Sequence, residues 1–109
     1  MGDGSFQFGV QALWSATRYE VPIGIVIFRN GQYQANRKFL DAYGKRAAAT
    51  GKYIGVSLDF PEIDNVSIAK GYGVEGEHIE KPEELTAALD RCLGALSDGR
   101  PYLLDVAIE

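Results

Sequence analysis

The stretch IGIVIF, residues 23–28, is the longest apolar run of the chain and decides its fold class. An unbroken run of branched apolar residues is typical of a strand that is buried on both faces of a parallel sheet. Pro22 stands before this run, and Asn30-Gly31, a strong turn signal, follows it. The sequence therefore predicts a buried parallel strand that ends in a polar loop.

Helix and strand patterns alternate on both sides of this run. Helices are predicted over residues 6–19 with Ser5 as the N-cap, over 36–49, between Pro61 and Gly71, and over 81–97, and further strands over 74–79 and 101–108. None of the connections has the form of a tight hairpin. We therefore predict a single α/β domain over residues 1–109, with three layers (α/β/α) and a mostly parallel sheet.

Two further expectations follow from these patterns. The helical spacing of Trp14, Phe39 and Tyr43 predicts that their side chains belong to the core. No strand pattern precedes Gly2, although a doubly wound fold normally places its ligand loop after such a strand. We therefore expect a domain that lacks its N-terminal strand.

The composition excludes several classes of function. The chain has 109 residues, of which 46% are hydrophobic and 24% charged, a balance typical of one globular domain. Its formal net charge of −4 at pH 7 gives no general attraction for nucleic acid or an anionic membrane. The single cysteine, Cys92, excludes an internal disulfide and is expected to be a buried structural thiol. With no bilayer-spanning run and no signal peptide, we predict a cytoplasmic protein.

Two short polar motifs form the candidate site. Gly-Asp-Gly-Ser, residues 2–5, precedes the first predicted helix, and Asn30-Gly31 follows the buried strand. In a doubly wound sheet the chain returns to the same edge after one helix and one strand, so Asp3 and Asn30 can come together. A carboxylate, an amide oxygen and a main-chain carbonyl are hard ligands that suit Mg²⁺ holding a diphosphate. The two motifs therefore predict a magnesium and diphosphate site.

This pair of motifs resembles the thiamine diphosphate signature, which runs Gly-Asp-Gly, a helix and a strand, and then Asn-Asn. The resemblance covers essentially the whole chain and is to the C-terminal, diphosphate-binding domain of the thiamine diphosphate-dependent decarboxylase and acetolactate synthase superfamily. The stretches ALWSATRYEVP (12–22) and NGQY (30–33) are most similar to benzoylformate decarboxylase-like enzymes.

The resemblance implies a role for particular residues. The implied metal ligands are Asp3, the side chain of Asn30 and the main-chain oxygen of Gln32. The implied contacts to the cofactor are Gly4, Ser5, Asn30, Gln32 and Tyr33. Asn36 and Phe39 match positions that line the substrate pocket, and the polar Asn36 argues against simply assigning an aryl substrate. Arg29 departs from the signature by replacing the first Asn of the pair, while the implied metal ligand, the second Asn, is kept.

The resemblance also implies a function. It implies a thiamine diphosphate- and Mg²⁺-binding domain of a non-oxidative 2-oxo acid decarboxylase, a homodimer or homotetramer when full length, in which the cofactor supplies the chemistry. A pyrimidine-binding domain of a partner subunit would complete the cleft and supply most acid-base side chains. We therefore assign no catalytic residue here and expect the isolated chain to be inactive. The alternatives are an acetolactate synthase-like or 2-hydroxyacyl-CoA lyase-like domain, or a free-standing, non-enzymatic α/β binding module.

Two other features of the sequence are weaker indications of a functional site. Residues 71–76 match G-x-G-x-x-G, but a helix is predicted before this motif and a strand after it, the reverse of a dinucleotide-binding loop. His78, the only histidine, lies in the predicted edge strand with no partner constellation, and we interpret it as a surface or packing residue.

Overall fold

The computed structural model describes residues 1–108. Its sheet has three strands, β1 (Gly24–Arg29), β2 (Glu75–Ile79) and β3 (Tyr102–Ala107), in the order β1-β3-β2. Both neighbouring pairs are parallel, and Asp105 of β3 stands opposite Ile27 on one side and His78 on the other. The predicted parallel sheet is confirmed, with β3 at its centre and β2 at an edge.

Helices cover both faces of this sheet. They are α1 (Asp3–Phe6), α2 (Ala12–Arg18), α3 (Gln34–Tyr43), α4 (Lys45–Thr50), α5 (Asn65–Gly71), a 3-10 turn (Pro82–Glu84) and α6 (Leu85–Ser97). α1, α2 and α5 pack against one face through a cluster that includes Ile27 and Leu103. α6 packs against the other face, where Cys92 is buried beside Leu104. The three-layer arrangement and the buried thiol are thus confirmed. Within the described residues no helix is long and apolar enough to cross a membrane.

Two of the predicted helices are each divided in the structure. Of the helix predicted over 6–19, only α2 (Ala12–Arg18) and Phe6, the last residue of the single turn α1, are helical. Residues 7–11 between them form turns, in which the N–H of Gly9 bonds to the carbonyl of Phe6. Ser5 lies inside α1, and the N-cap position belongs to Gly2, so the predicted cap is wrong. The helix predicted over 36–49 breaks at Gly44 and ends, as expected, at Gly51, whose φ is +65°. Glycine is a poor helix former, which explains both breaks.

The prediction that Trp14, Phe39 and Tyr43 are core residues is wrong. Their exposed fractions are 56%, 63% and 74%, and no residue of α3 is buried. Apolar residues at helical spacing define a face, but the spacing does not show whether another element covers that face.

The first two residues continue the sheet beside β1. The N–H of Phe28 donates to the carbonyl of Met1 at 2.7 Å, and Gly2 forms a parallel bridge with Phe28. The chain then turns into α1 at Asp3. This pairing places Asp3 at the carboxyl end of β1, next to the loop that begins with Asn30.

Candidate functional site

A cleft of about 650 Å³ opens at the carboxyl end of β1. It is lined by almost all of the residues that the sequence singled out: Asp3, Gly4, Ser5, Asn30, Gln32, Tyr33 and Asn36. Phe8 and Gly55 also line it, whereas Phe39 does not, because its ring packs against Tyr43 at a centroid distance of 5.0 Å. The structure therefore brings the two motifs together and leaves Phe39 outside the cleft.

The Asp3 carboxylate joins the two motifs. Asp3 is 5% exposed; its Oδ1 accepts a hydrogen bond from the N–H of Gly4 at 3.0 Å, and its Oδ2 accepts one from the N–H of Gly31 at 2.9 Å. It forms no ion pair within residues 1–108. A buried carboxylate with no cation is unfavourable unless other groups offset its charge. Two N–H donors do so only in part, since each oxygen retains a free lone pair.

The loop after β1 presents two more oxygens. Asn30 Oδ1 accepts from the N–H of Gln32 at 3.2 Å, while its Nδ2 donates to Gln34 Oε1 at 3.2 Å, which fixes the amide plane. No hydrogen bond of the described residues engages the main-chain oxygen of Gln32. These two neutral oxygens and one carboxylate suit a hard divalent cation. No group of three or more His, Cys, Asp or Glu in residues 1–108 could hold a metal, so such a cation would depend on this mixed set.

Tyr33 and Gly4 form the wall of the cleft. A Cβ on Gly4 would lie 2.4 Å from Cε1 of Tyr33, so only glycine allows the ring to lie against the main chain there. The ring of Phe8 meets Tyr33 edge-on at a centroid distance of 6.4 Å. Ser5 is exposed beside them. Gly4 is thus a buried residue of the cleft lining that packs against an aromatic ring, with the exposed Ser5 beside it.

Arg29, the departure from the signature, points away from this cleft. Its Nε lies 3.2 Å from Oδ2 of Asp105, and its Nη1 and Nη2 lie 3.2 Å and 2.5 Å from Glu62 and Glu80. Burial works to lower the pKa of the guanidinium, but Asp105 and Glu80 outweigh that effect and raise the pKa above its ordinary value. Arg29 is therefore a cation held by three carboxylates outside the cleft, and it does not line the cleft itself.

His78 has partners that the sequence did not predict. Its Nδ1 lies 3.0 Å from Oδ2 of Asp105, and its Nε2 lies 3.2 Å from Oδ1 of Asp64. Hydrogen bonds from Ser67, with a smaller contribution from His78, lower the pKa of Asp64 to about 2. His78 thus links the central strand to the start of α5. The G-x-G-x-x-G match lies between α5 and β2, as predicted, and not between a strand and a helix.

Sequence reasoning missed Asp105, Glu62 and Glu80 as members of one network. Asp105 carried a signal, since it is the single charged residue within the apolar stretch PYLLDVAI of the last strand. A lone acid in a central strand must be paired when it is buried. Glu62 and Glu80 carried none, because nothing local distinguishes them from other exposed acids.

A family model described as "Thiamine pyrophosphate enzyme, C-terminal TPP binding domain" matches residues 1–106. The chain belongs to this family. The resemblance inferred from the two motifs is thereby confirmed. The cleft at the carboxyl end of β1 lies within the residues that this family model matches.

Several relatives of known activity resemble this C-terminal TPP-binding domain. Benzoylformate decarboxylase of Pseudomonas aeruginosa is 42% identical over 109 residues, which are 100% of this chain and 19% of that protein. The large subunit of acetolactate synthase isozyme 2 of Escherichia coli is 35% identical over 109 residues, 99% of this chain and 18% of that protein. The solved structure of a thiamine diphosphate-dependent 4-hydroxybenzoylformate decarboxylase from Rhodococcus jostii RHA1 superposes with a TM-score of 0.83 at 38% identity, over 100% of this chain and 19% of that one. The domain thus spans less than a fifth of the length of these relatives.

Proposed function

We propose that this domain binds the diphosphate of thiamine diphosphate through Mg²⁺ in a non-oxidative 2-oxo acid decarboxylase of the benzoylformate decarboxylase kind. Two observations favour a decarboxylase. The Pseudomonas aeruginosa relative, at 42% identity, and the Rhodococcus jostii structure, at 38%, both carry that activity in their names.

The observation that carries the proposal is the uncompensated charge of Asp3. Its carboxylate is buried in the cleft wall, receives only two main-chain N–H groups, and lies in the same cleft as Asn30 and Gln32. A Mg²⁺ ion held by the Asp3 carboxylate, the Asn30 amide oxygen and the Gln32 carbonyl would offset this charge. The ion would also bind diphosphate oxygens, because Mg²⁺ in proteins is usually held by one or two carboxylates together with phosphates.

The remaining residues of the cleft would hold the cofactor tail. The exposed hydroxyl of Ser5 offers a donor to diphosphate oxygens, and Gly4, whose N–H bonds to Asp3 Oδ1, forms the adjoining wall with Tyr33. Thiamine diphosphate, when bound, supplies the electron-accepting chemistry that decarboxylation of a 2-oxo acid needs. The role of this domain is therefore to bind and orient, and we assign it no catalytic residue.

The open cleft leaves room for a substrate and for a partner subunit. Asn36 lines the cleft and is our candidate for a substrate contact; Phe39, the second candidate, lies outside the cleft and would need a change of α3 to reach it. We propose that the pyrimidine-binding domain of a partner subunit covers the cleft in a cytoplasmic homodimer or homotetramer. Without that cover the isolated domain would be inactive and bind the cofactor weakly.

A carboligase is the second candidate. The Escherichia coli acetolactate synthase subunit is 35% identical over 99% of this chain, and the same cleft would serve either reaction. A panel of 2-oxo acids, with carbon dioxide release and carbon–carbon bond formation measured separately, distinguishes the two. Aldehyde as the sole organic product identifies a decarboxylase, and a coupled hydroxy-ketone identifies a carboligase.

Calorimetric titration tests the site. Thiamine diphosphate is titrated with and without Mg²⁺ into the full-length polypeptide and into residues 1–109 alone. We expect Mg²⁺-dependent binding to the full-length protein that Asp3→Ala abolishes, and weak binding to the isolated domain. Asp90→Ala, an exposed acid of α6, is the matched control and should bind normally. Tight Mg²⁺-dependent binding that is insensitive to Asp3→Ala would contradict the site assignment.

A further inference from the structure

Arg29 is the last residue of β1 and stands directly before Asn30. Its Nε bonds to both carboxylate oxygens of Asp105, at 3.3 Å and 3.2 Å. Asp105 is fully buried in the central strand, so its charge needs a partner held close to it. The guanidinium supplies that partner, and only 17% of its side chain is exposed.

The same guanidinium reaches two further segments. Nη1 contacts Glu62, in the loop before α5, and Nη2 contacts Glu80, just after β2. All three kinds of guanidinium nitrogen therefore face carboxylates, which come from three different parts of the chain. A planar guanidinium with five fixed donors can make such a junction, whereas an ammonium group cannot.

The contact with Glu62 joins two loops that already meet. The N–H of Leu58 donates to the carbonyl of Gly31 at 2.7 Å, and the N–H of Tyr33 donates to the carbonyl of Val56 at 2.8 Å. These bonds connect residues 56–58 to the loop after β1. Arg29 adds a third connection between the same segments, at the end nearest Asn30.

We propose that Arg29 is a positioning residue that orders the loop carrying Asn30 and Gln32 before the cofactor binds. This role rests on the proposed function of that loop as the source of two metal ligands. Its physical basis is that a ligand site ordered in advance loses less conformational entropy when it binds. The Arg that replaces the first Asn of the signature thus orders the ligand loop through contacts made outside the cleft.

A purely structural role makes a different prediction. If Arg29 only neutralises Asp105, any cation at position 29 suffices, and Glu62 is irrelevant. If it positions the loop, the connection to Glu62 matters although that side chain is 75% exposed. Glu62→Ala removes both the acceptor and the charge of this connection without touching Asp105. Arg29→Lys retains a cation for Asp105 and loses the fork that reaches Glu62 and Glu80.

Hydrogen exchange of the ligand-free protein is the first measurement. We expect amides of residues 31–33 to exchange about tenfold faster in Glu62→Ala and Arg29→Lys than in the unmodified protein, because they open more often. Glu83→Ala, an exposed acid in the 3-10 turn with the same change of charge, should leave their exchange unchanged. Unchanged exchange in Glu62→Ala would overturn the proposal, even if Arg29→Lys failed to fold.

Titration of the full-length protein with thiamine diphosphate and Mg²⁺ is the second measurement. We expect Glu62→Ala to weaken binding about threefold or more while its thermal midpoint stays close to that of Glu83→Ala. Equal affinities of the two variants would overturn the positioning role. If the unmodified protein binds no cofactor while the exchange difference persists, the proposed function fails and the ordering of the loop by Arg29 stands.

Discussion

The carboxylate of Asp3 accepts a hydrogen bond from the main-chain N–H of Gly31 at 2.9 Å, and this bond joins the first residue of α1 to the loop after β1. The second oxygen of the same carboxylate accepts from the N–H of Gly4. Both oxygens are therefore used as acceptors, so the identity of the side chain matters for the ligand-free fold.

Asp3→Asn tests this arrangement in the ligand-free protein. The substituted amide keeps one acceptor and turns an NH₂ group toward the other N–H, which leaves a buried donor unpaired. We expect the free energy of unfolding to fall by about 1–3 kcal/mol, measured by urea denaturation at neutral pH. Asp90→Asn on α6 is the control and should change it by no more than about 0.5 kcal/mol. Equal stability of the two variants would show that the bonds from Gly4 and Gly31 contribute little.

The lowered pKa of Asp64 predicts how the free energy of unfolding changes at acid pH. Its side chain accepts hydrogen bonds from the N–H and hydroxyl of Ser67, at 2.9 Å and 2.6 Å, and these lower its pKa to about 2. The unfolded chain has an ordinary value of about 3.9. Because the folded value is the lower one, the contribution is complete above the unfolded value and is lost as the pH falls toward about 2.

Ser67→Ala should reduce the difference between the folded and unfolded pKa of Asp64. Without the hydroxyl, the pKa of Asp64 rises toward its ordinary value, and less stability is lost between neutral and acid pH. An NMR titration of the side-chain carboxyl carbon measures the pKa directly, and denaturation across the same pH range measures the stability. Ser97→Ala, at the exposed end of α6, should leave both unchanged. An unshifted Asp64 in Ser67→Ala would contradict the assigned cause.

The sheet could be predicted because strands carry their own signal. The apolar runs at residues 23–28 and 101–108 are a local property of the sequence, and both contain strands. The prediction that residues 23–28 are buried on both faces is wrong, since Phe28 is 46% exposed, whereas the first four residues of β3 are all buried. The helix boundaries were harder, since α1 is a single turn held in place by the pairing of Gly2 with Phe28. That pairing joins distant parts of the chain, so local helix propensity cannot report it.

The candidate site, too, could be predicted only in part. That Asp3 and Asn30 approach each other followed from a general rule on where parallel strands end. The contact of Arg29 with Asp105 requires that β1 and β3 are neighbours, and the order of strands is not written in any local pattern. The exposure of Phe39 has the same origin, because nothing in the apolar spacing of α3 shows what lies opposite.

The raised pKa of Tyr102 predicts how the free energy of unfolding changes at alkaline pH. It is 7% exposed, and its hydroxyl donates to Oε2 of Glu77. Burial and this hydrogen bond raise the pKa of Tyr102 to about 12, above the ordinary value of about 10. A raised folded value means that the contribution to stability is complete below about pH 10 and is lost as the pH rises toward the folded pKa.

Glu77→Gln should lower the pKa of Tyr102, because the negative charge that opposes its ionisation is removed. Ultraviolet absorption of tyrosinate, compared with that of Tyr102→Phe, isolates the titration of this one ring. Glu83→Gln provides the control for loss of an acid elsewhere. If the last tyrosine to titrate has the same pKa in Glu77→Gln as in the unmodified protein, the negative charge of Glu77 is not a cause of the shift.

Gly4→Ala tests the wall of the candidate cleft. The added Cβ would lie 2.4 Å from Cε1 and 2.7 Å from Cδ1 of Tyr33, so the ring must move out of its position. We expect the free energy of unfolding to fall by about 1–3 kcal/mol, and Mg²⁺-dependent binding of thiamine diphosphate to weaken. Gly9→Ala is the matched control, since nothing lies within 4 Å of its added Cβ. If displacement of the ring is the cause, Gly4→Ala should carry no stability penalty when it is made in a Tyr33→Ala background, as a double-mutant cycle would show. A penalty that persists without the Tyr33 ring would place the cause in the main chain of α1 instead.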